Sequence, residues 1–577
     1  MFELFVPGRA GRSFFTTVPN RWDWALLPLV LALLAIAAWG AMQMGRPLVP
    51  GQGAALTLDP AQLPFYLART LLRMFAALAC SLLFTCAFAL AATRSRTLEK
   101  VLVPLLDVLQ SVPILGFQAI AIAPFIALFP GRLLGPECAA IFAIFTSQAW
   151  NMAFSLYQSM KTVPPELDEA ARVFRLSAWQ RFWRLELPHG MPALLWNMMM
   201  SMSGGWFFLV AAEAISVAGQ DIRLPGIGAW IALAIERRDG AAIAWAIGAM
   251  FAGIVLVDQL FFRPLLAWAD RFRVGEAQAD EVARRSWLLD WGRRSAWMRA
   301  CTGRAWALLG RAAGAFPGAR TDAAAPARKP APAWQARAWD AILLALAALG
   351  AARFLLFVHA DLGWDEVLRT TGLGMLTLAR VLLLTALASL FWVPVAVWIG
   401  LRPRWAQRVQ ALAQFLAAFP VNLLFPLVVW LLVHLRLNPN LWLSPLMVFG
   451  TQWYILFNVV AGAATLPGEL RLAAGNLGLS GWLAWKRVYL PAVFPSFVTG
   501  AVTASGGSWN ASIVAEYVSW GKTTLVAEGL GSYIRQATDA GDFHRIALGI
   551  GVMCVFVMLL NRLFWRRLYL LAEARSH

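Results

Sequence analysis

The chain has 577 residues, of which 60% are hydrophobic and only 14% charged. So much apolar side chain cannot be hidden in a water-soluble core, which excludes a soluble globular protein and leaves a polytopic membrane protein. The net charge of +18 would suit nucleic acid only on a soluble basic domain, and none is available between the apolar runs, so Lys and Arg are read as markers of cytoplasmic loops.

Residues 1–22 place Arg9, Arg12 and Arg21 before a first apolar run that is too long for a signal-peptide core, so that run is read as a retained helix. Runs of spanning length, roughly 20 residues each, follow near 23–44, 65–92, 101–129 (interrupted by Pro113), 137–158, 190–218 and 242–265. Six more lie near 338–359, 371–400, 409–434, 441–463, 493–519 and 546–568. The expected fold is all-α and polytopic, with about 12 transmembrane helices in two parallel repeats. Its segments are 1–64 (cytoplasmic segment, first helix, outer loop), 65–266 (first repeat), 267–337 (basic linker), 338–369 (first helix of the second half and outer loop) and 370–577 (second repeat and tail).

Arg94, Arg96, Lys100, Arg402, Arg404, Arg408, Arg562, Arg566 and Arg567 gather on one side of these helices, whereas the opposite loops hold few cations, among them Arg132, Arg223 and Lys522. The richer side is cytoplasmic, and both termini fall on it. Six helices per half insert the halves the same way up, related by an axis along the membrane normal.

The linker carries Trp287, Trp291, Trp297 and Trp306 among Arg284, Arg285, Arg293, Arg294, Arg299 and Arg304. Trp at the headgroup boundary and Arg toward anionic lipid make it a tether with one or two interfacial helices; a partner-binding domain is the other reading. The following TDAAAPARKPAPAW has linker composition. The five cysteines show no metal-ligand spacing and read as small apolar residues.

One polar stretch recurs. Pro165 to Pro188 returns as Gly468 to Pro491, with identity at Glu166/Glu469, Leu167/Leu470, Ala170/Ala473, Ala171/Ala474, Leu176/Leu479, Ser177/Ser480, Trp179/Trp482, Arg184/Arg487, Leu187/Leu490 and Pro188/Pro491 at a constant offset of 303. The chain is an internal duplication. A short helix with Glu166, Glu169 and small Ala170 and Ala171 reads as a docking element; a solvated loop helix is the bland reading, and recurrence argues against it.

Glu169-Ala170-Ala171 through Leu187-Pro188, and Ala473-Ala474, Gly478 and Leu490-Pro491 in the second copy, resemble the signature loop of permease subunits of binding-protein-dependent ABC importers. The resemblance covers about 65–265 and 370–568 and looks most like the duplicated permeases of the nitrate, sulfonate and taurine branch. It implies an ATP-driven importer of the bacterial inner (plasma) membrane. Two copies of an ABC ATPase subunit would bind the loops, and an extracytoplasmic solute-binding protein would deliver a small anion. It also implies no ATPase site, catalytic residue, cofactor or metal in this chain. Each copy departs from the pattern. Arg175 stands where the family has Gly, and Leu472 stands where it has Glu, so unequal docking of the two loops is expected.

Charged positions repeat inside the membrane too: Thr70 to Arg73 recurs as Thr377 to Arg380, and Val210 to Glu213 as Ile513 to Glu516. Charges at such depth are costly unless paired or functional, and Arg73 with Glu213 and Arg380 with Glu516 are expected to pair, direct contact with solute being the alternative. Gly204/Gly507 and Trp206/Trp509 repeat on the helix after each loop; pathway lining and close helix packing both explain them. Pro113 and Pro420 interrupt the third and ninth helices as either a kink or a gate.

Gly521-Lys522-Thr523-Thr524 resembles the tail of a phosphate-binding loop, but Glu516 stands where the earlier Gly is required. The rival to an ABC importer is a gradient-driven secondary transporter with twelve helices. A membrane-embedded enzyme lacks the clustered acids, histidines or metal spacing it would need.

Overall fold

The computed structural model describes residues 21–44, 56–110, 112–217, 220–269, 272, 286–315, 333–464, 466, 468–521 and 523–576. The expectations for residues 1–20, for Arg284 and Arg285, for most of the Ala/Pro-rich stretch and for Lys522 lie outside the described residues.

The first half runs α1 (Arg21–Met44), α2 (Leu63–Arg94), α3 (Arg96–Leu109), α4 (Ile114–Leu128), α5 (Leu134–Lys161), α6 (Pro165–Val173), α7 (Ala178–Arg181) and α8 (Leu187–Glu213). An antiparallel hairpin of β1 (Ala214–Val217) and β2 (Gln220–Arg223) follows, with Ala214 opposite Arg223, and then α9 (Ile227–Arg237), α10 (Gly240–Val257) and α11 (Arg263–Ala269). Two linker helices, α12 (Trp287–Arg294) and α13 (Ala296–Ala315), lead to the second half. That half runs α14 (Ala333–Asp361), α15 (Trp364–Gly400), α16 (Pro403–Ala418), α17 (Phe425–His434), α18 (Pro439–Trp442), α19 (Leu446–Phe449), α20 (Gln452–Ala464), α21 (Gly468–Asn476), α22 (Gly481–Ala484) and α23 (Leu490–Ala515). A second hairpin, β3 (Tyr517–Trp520) and β4 (Thr523–Val526), precedes α24 (Leu530–Ala540), α25 (Phe543–Leu560) and α26 (Arg566–Ser576).

Nine helices among the described residues are long and apolar enough to cross a membrane. The difference from twelve arises partly at the third pass of each half, which is split. Phe419 takes extended backbone (φ −71°, ψ 122°) ahead of Pro420 and ends α16, as the residue before a proline tends to do; α3 ends earlier, at Leu109, and Pro113 is the N-cap of α4. The helices expected over 190–218 and 493–519 end at Glu213 and Ala515, because β-branched residues and Gly521 (φ 59°) turn the outer ends into hairpins.

Lipid gives apolar side chains little reason to prefer protein, so helices associate by close packing of small residues. On α5 the buried face includes Ala139, Ala140, Ala143, Ala149 and Ala153, and it packs against α2 and α8. The split pass joins the halves: α4 packs on α23, α24 and α25, whereas α16 packs on α8 and α10, with Phe251 edge-on to Phe415 at 4.8 Å. Each third pass thus completes the opposite core. The first helix of the second half is peripheral: only 6% of the apolar window of α14 is buried.

Candidate functional site

The two recurrent loops fold alike. In α6, Glu166 and Glu169 are exposed, Ala170 is half-buried and Ala171 is buried; in α21, Glu469, Leu472 and Ala473 are exposed and Ala474 is buried. Both helices end in the same cap. Arg175 N–H donates to the Arg172 carbonyl (2.9 Å) and Leu176 N–H to Ala171 (3.1 Å), matched by Gly478 to Gly475 (3.0 Å) and Leu479 to Ala474 (2.9 Å). The cap needs a residue in left-handed backbone. Arg175 holds it at φ 49° and Gly478 at φ 66°, so the arginine makes the turn at a steric cost the glycine avoids.

The loops differ in what braces them. Asp168 pairs with Arg172 (2.8 Å) and Arg181 (2.6 Å), and Glu186 pairs with Arg181 (2.8 Å) and with Arg94 (2.8 Å) at the end of α2. A capping box between Ser177 and Gln180 starts α7. The second loop carries Ala484 and Tyr489 where the first has Arg181 and Glu186, and Ser480 makes no side-chain cap. Next to the first loop, Lys161 Nζ lies 2.8 Å from Glu99 and the Tyr157 hydroxyl donates to it at 2.6 Å. The Lys161 hydrogen bond first, and then that of Tyr157, hold the Glu99 carboxyl below its ordinary pKa.

From each loop a helix runs on without a break. Leu187 and Pro188 open α8, and Leu490 and Pro491 open α23, each after a single π-helical turn at Phe182–Glu186 or Trp485–Tyr489. A proline cannot donate to the carbonyl one turn back and its ring crowds that carbonyl. The wide turn relieves both problems, with Leu187 N–H reaching Phe182 and Leu490 N–H reaching Trp485.

Near the C-terminal ends of α8 and α23 the structure brings the repeated charges together. Arg73 Nη1 lies 2.6 Å from Glu213, and Arg380 Nη1 lies 3.2 Å from Glu516. In the first half, Glu137 joins: it receives Arg73 Nε (2.5 Å) and Nη2 (2.8 Å) and Arg69 Nη2 (2.5 Å). Two arginines and two glutamates, all essentially buried, leave no net charge, which is what a desolvated cluster requires. Comparison of the repeats missed Glu137 and Arg69, because the second half has Asn440 and Leu376 at those places.

The glutamates also hold the outer helices. Glu213 accepts from Thr70 Oγ1 (2.7 Å) and Gly228 N–H (2.7 Å), while Thr70 accepts from Ile227 N–H (3.0 Å). Glu516 accepts from Thr377 (2.9 Å) and Ser532 N–H (3.0 Å), while Thr377 accepts from Leu530 N–H (2.9 Å). A carboxylate thus satisfies the orphan donors at the start of α9 and of α24. Gly226 and Gly529 permit the approach: a Cβ there would lie 2.3 Å and 2.2 Å from those carboxylates.

Between the halves, Trp196 stacks on Phe457 (centroids 5.2 Å apart), a Cβ on Gly204 would sit 3.0 Å from the Tyr454 hydroxyl, and Asn510 Oδ1 accepts from Ile114 N–H (2.8 Å) just after Pro113. Trp206 and Trp509 are 2% and 1% exposed inside apolar cores that also take in residues of the other half, Phe457 in the first and Leu115 in the second, and Gly507 faces Thr451 of its own half. These three are closely packed, and a Cβ on Gly204 would meet the other half at Tyr454. At the end opposite the recurrent loops, Gly521 N–H donates to the Ile235 carbonyl (3.1 Å) and Arg238 reaches Thr523 (3.5 Å), so the second hairpin rests on α9. On the loop side, Asp23 of α1 accepts from the Ser295 hydroxyl and from Trp297 N–H (3.1 Å), and α13 packs against α7.

The family described as "Binding-protein-dependent transport system inner membrane component" matches residues 83–265 and again 392–576. Among curated relatives, the bicarbonate transport system permease protein CmpB of Synechococcus elongatus is 25% identical over 178 residues, 31% of this chain and 58% of that protein. The nitrate import permease protein NrtB of Leptolyngbya laminosa is 27% identical over 113 residues, 20% of this chain and 38% of that protein. The taurine transport system permease protein TauC of Escherichia coli is 27% identical over 180 residues, 31% of this chain and 62% of that protein. The chain thus spans less than two thirds of the length of each of these relatives.

Proposed function

Because the chain belongs to the family of binding-protein-dependent transport system inner membrane components, the permeases of ABC importers, with one family match in each half, we propose that it forms the whole solute pathway of an ATP-driven importer. The pathway runs between two fused halves, the repeats being 65–266 and 370–577. The observation that carries this reading is the pair of exposed docking helices α6 and α21, each with the same cap and each continuous with a long apolar helix. Val173 (79% exposed) and Phe174 (57%) beside the first helix, and Leu472 (70%), Leu477 (75%) and Trp482 (75%) at the second, form apolar patches suited to a partner.

Two copies of a separate ABC ATPase dock there through Glu166, Glu169, Ala170, Ala171 and Arg175 on one side and Glu469, Ala473, Ala474 and Gly478 on the other. Nucleotide-driven closure moves α8 and α23 through Leu187-Pro188 and Leu490-Pro491. An extracytoplasmic solute-binding protein delivers the solute, a small anion such as nitrate, a sulfonate or taurine. The protein sits in the bacterial inner membrane with both termini cytoplasmic, and it hydrolyses no ATP itself. The linker lies along the cytoplasmic membrane surface, and 338–369 adds a peripheral helix.

The test is to express the chain with the ATPase and secreted binding protein of its own source, purify it by a tag on the chain alone and reconstitute it. Co-purification of the ATPase, with uptake that needs both ATP and the binding protein, is expected. Uptake in vesicles lacking the ATPase would favour the gradient-driven carrier.

A further inference from the structure

The two repeats use the same arginine differently. Arg73 commits its whole guanidinium to protein: Nη1 to Glu213, Nη2 to the Pro225 carbonyl (2.9 Å), and the Nε/Nη2 edge side-on to the two oxygens of Glu137. Arg380 makes both of its hydrogen bonds through one nitrogen, Nη1, to Glu516 (3.2 Å) and to the Glu528 carbonyl. Its Nε and Nη2 donate to nothing among the described residues, and neither is sealed from the surface. The edge that grips a carboxylate in the first half is bare in the second.

Two substitutions between the repeats produce this difference. Asn440 stands in the place of Glu137 and is neutral; its Oδ1 accepts from Glu528 N–H (2.7 Å), so the backbone of Glu528 links it to Arg380. Leu376 stands in the place of Arg69 and is exposed. The Glu528 side chain is exposed and forms no ion pair among the described residues. Nothing there replaces the carboxylate that Arg73 holds.

An anion added to Arg380 and Glu516 leaves one negative charge in excess, which a sealed site would not tolerate; in the first half Arg69 supplies the balance. Arg380 is 12% exposed where Arg73 is fully buried, so water shares the excess and a ligand has a way in and out. A guanidinium edge offers two parallel N–H donors, which match the paired oxygens of a carboxylate or phosphate. A monatomic anion lacks the second acceptor.

We infer that the Nε/Nη2 edge of Arg380 is a binding site for a two-oxygen anion, a carboxylate or phosphate, which takes the position that Glu137 fills in the first half. A small free anion and the phosphate of a phospholipid headgroup present this same chemistry. The site stands on the comparison of Arg380 with Arg73 and does not depend on the importer reading.

The test uses the full chain in dodecyl maltoside, a detergent without phosphate, with the thermal unfolding midpoint as readout. Sodium acetate is compared with sodium chloride at matched ionic strength, and phosphatidylglycerol with diacylglycerol added to the micelles. A saturable rise with acetate over chloride is expected for a free anion; a rise with phosphatidylglycerol over diacylglycerol, and none with acetate, identifies the lipid phosphate. In either arm, Arg380→Lys, which keeps the charge and loses the paired donors, and Asn440→Asp, which keeps the shape and sets a carboxylate beside Arg380, are each expected to raise the half-saturating concentration about fivefold or more. If Arg380→Lys does not fold, Asn440→Asp decides. No preference for acetate over chloride together with none for phosphatidylglycerol over diacylglycerol, or a response that Asn440→Asp leaves undiminished, would overturn the inference.

Discussion

Arg175 and Gly478 hold the same left-handed position at the ends of α6 and α21, at φ 49° and 66°. A side chain in that backbone costs about 1–2 kcal/mol relative to glycine. Arg175→Gly is expected to tighten the first cap, slowing hydrogen exchange at the Leu176 amide roughly fivefold or more, and Gly478→Arg is expected to speed exchange at Leu479 by a similar factor. Unchanged exchange in both variants would show that the surrounding ion pairs, not the turn, set the stability of the cap.

The Asp168–Arg181–Glu186–Arg94 network braces the first loop and cannot form in the second. A rigid loop transmits displacement, whereas a looser one absorbs part of it. In the assembled transporter, Ala171→Asp is therefore expected to reduce transport-coupled ATP hydrolysis more than Ala474→Asp does, by several-fold. Equal losses would mean that the proposed ATPase partner grips both loops alike.

The buried charges make their own asymmetry. Arg73 serves two glutamates with no exposure, whereas Arg380 serves one and is 12% exposed. Removing one member of a buried pair typically costs about 3–5 kcal/mol, and partial hydration softens the loss. Arg73→Met is expected to abolish a monodisperse product in fluorescence-detected size exclusion, while Arg380→Met only lowers its unfolding midpoint. Exchanging the charges of Arg73 and Glu213 is not expected to rescue folding, because an arginine at 213 cannot accept from Gly228 N–H and a glutamate at 73 would face Glu137.

Arg238 meets Thr523 across the interface at 3.5 Å, beside the Gly521 to Ile235 hydrogen bond. If the halves part on this side during transport, Arg238→Cys with Thr523→Cys, in a background lacking the five native cysteines, is expected to lose uptake on treatment with a short reducible cross-linker and to recover it with dithiothreitol. Full uptake by the cross-linked protein would mean that this contact does not move.

Much of this organisation is written in the sequence because it depends on local and periodic signals. The loops were legible from identity at one offset, and the pairing of Arg73 with Glu213 followed from matching depths. Glu137 was not, since its role comes from a helix far away in the chain and its counterpart is Asn440. The hairpins at 214–223 and 517–526 were absorbed into the preceding helices, because a short strand in an apolar run leaves no distinct period. Trp206 and Trp509 repeat at buried positions, and repetition by itself does not separate packing from function, since a core repeats as faithfully as a site. Which face of α8 meets the other half was not readable from one strand of text, since that depends on how two helices with no shared sequence signal come together.

The exchanged third pass sets the order in which the protein is built. When α4 leaves the ribosome, α5 of its own half follows directly, but the helices it meets in the other half, α23, α24 and α25, lie more than 350 residues downstream. Until Asn510 is synthesised, the Ile114 N–H has no acceptor from that residue, and the first half waits in the membrane with an open flank. Joining both halves in one polypeptide keeps the missing surface tethered nearby, so assembly becomes a step within one chain and does not depend on encounter between two.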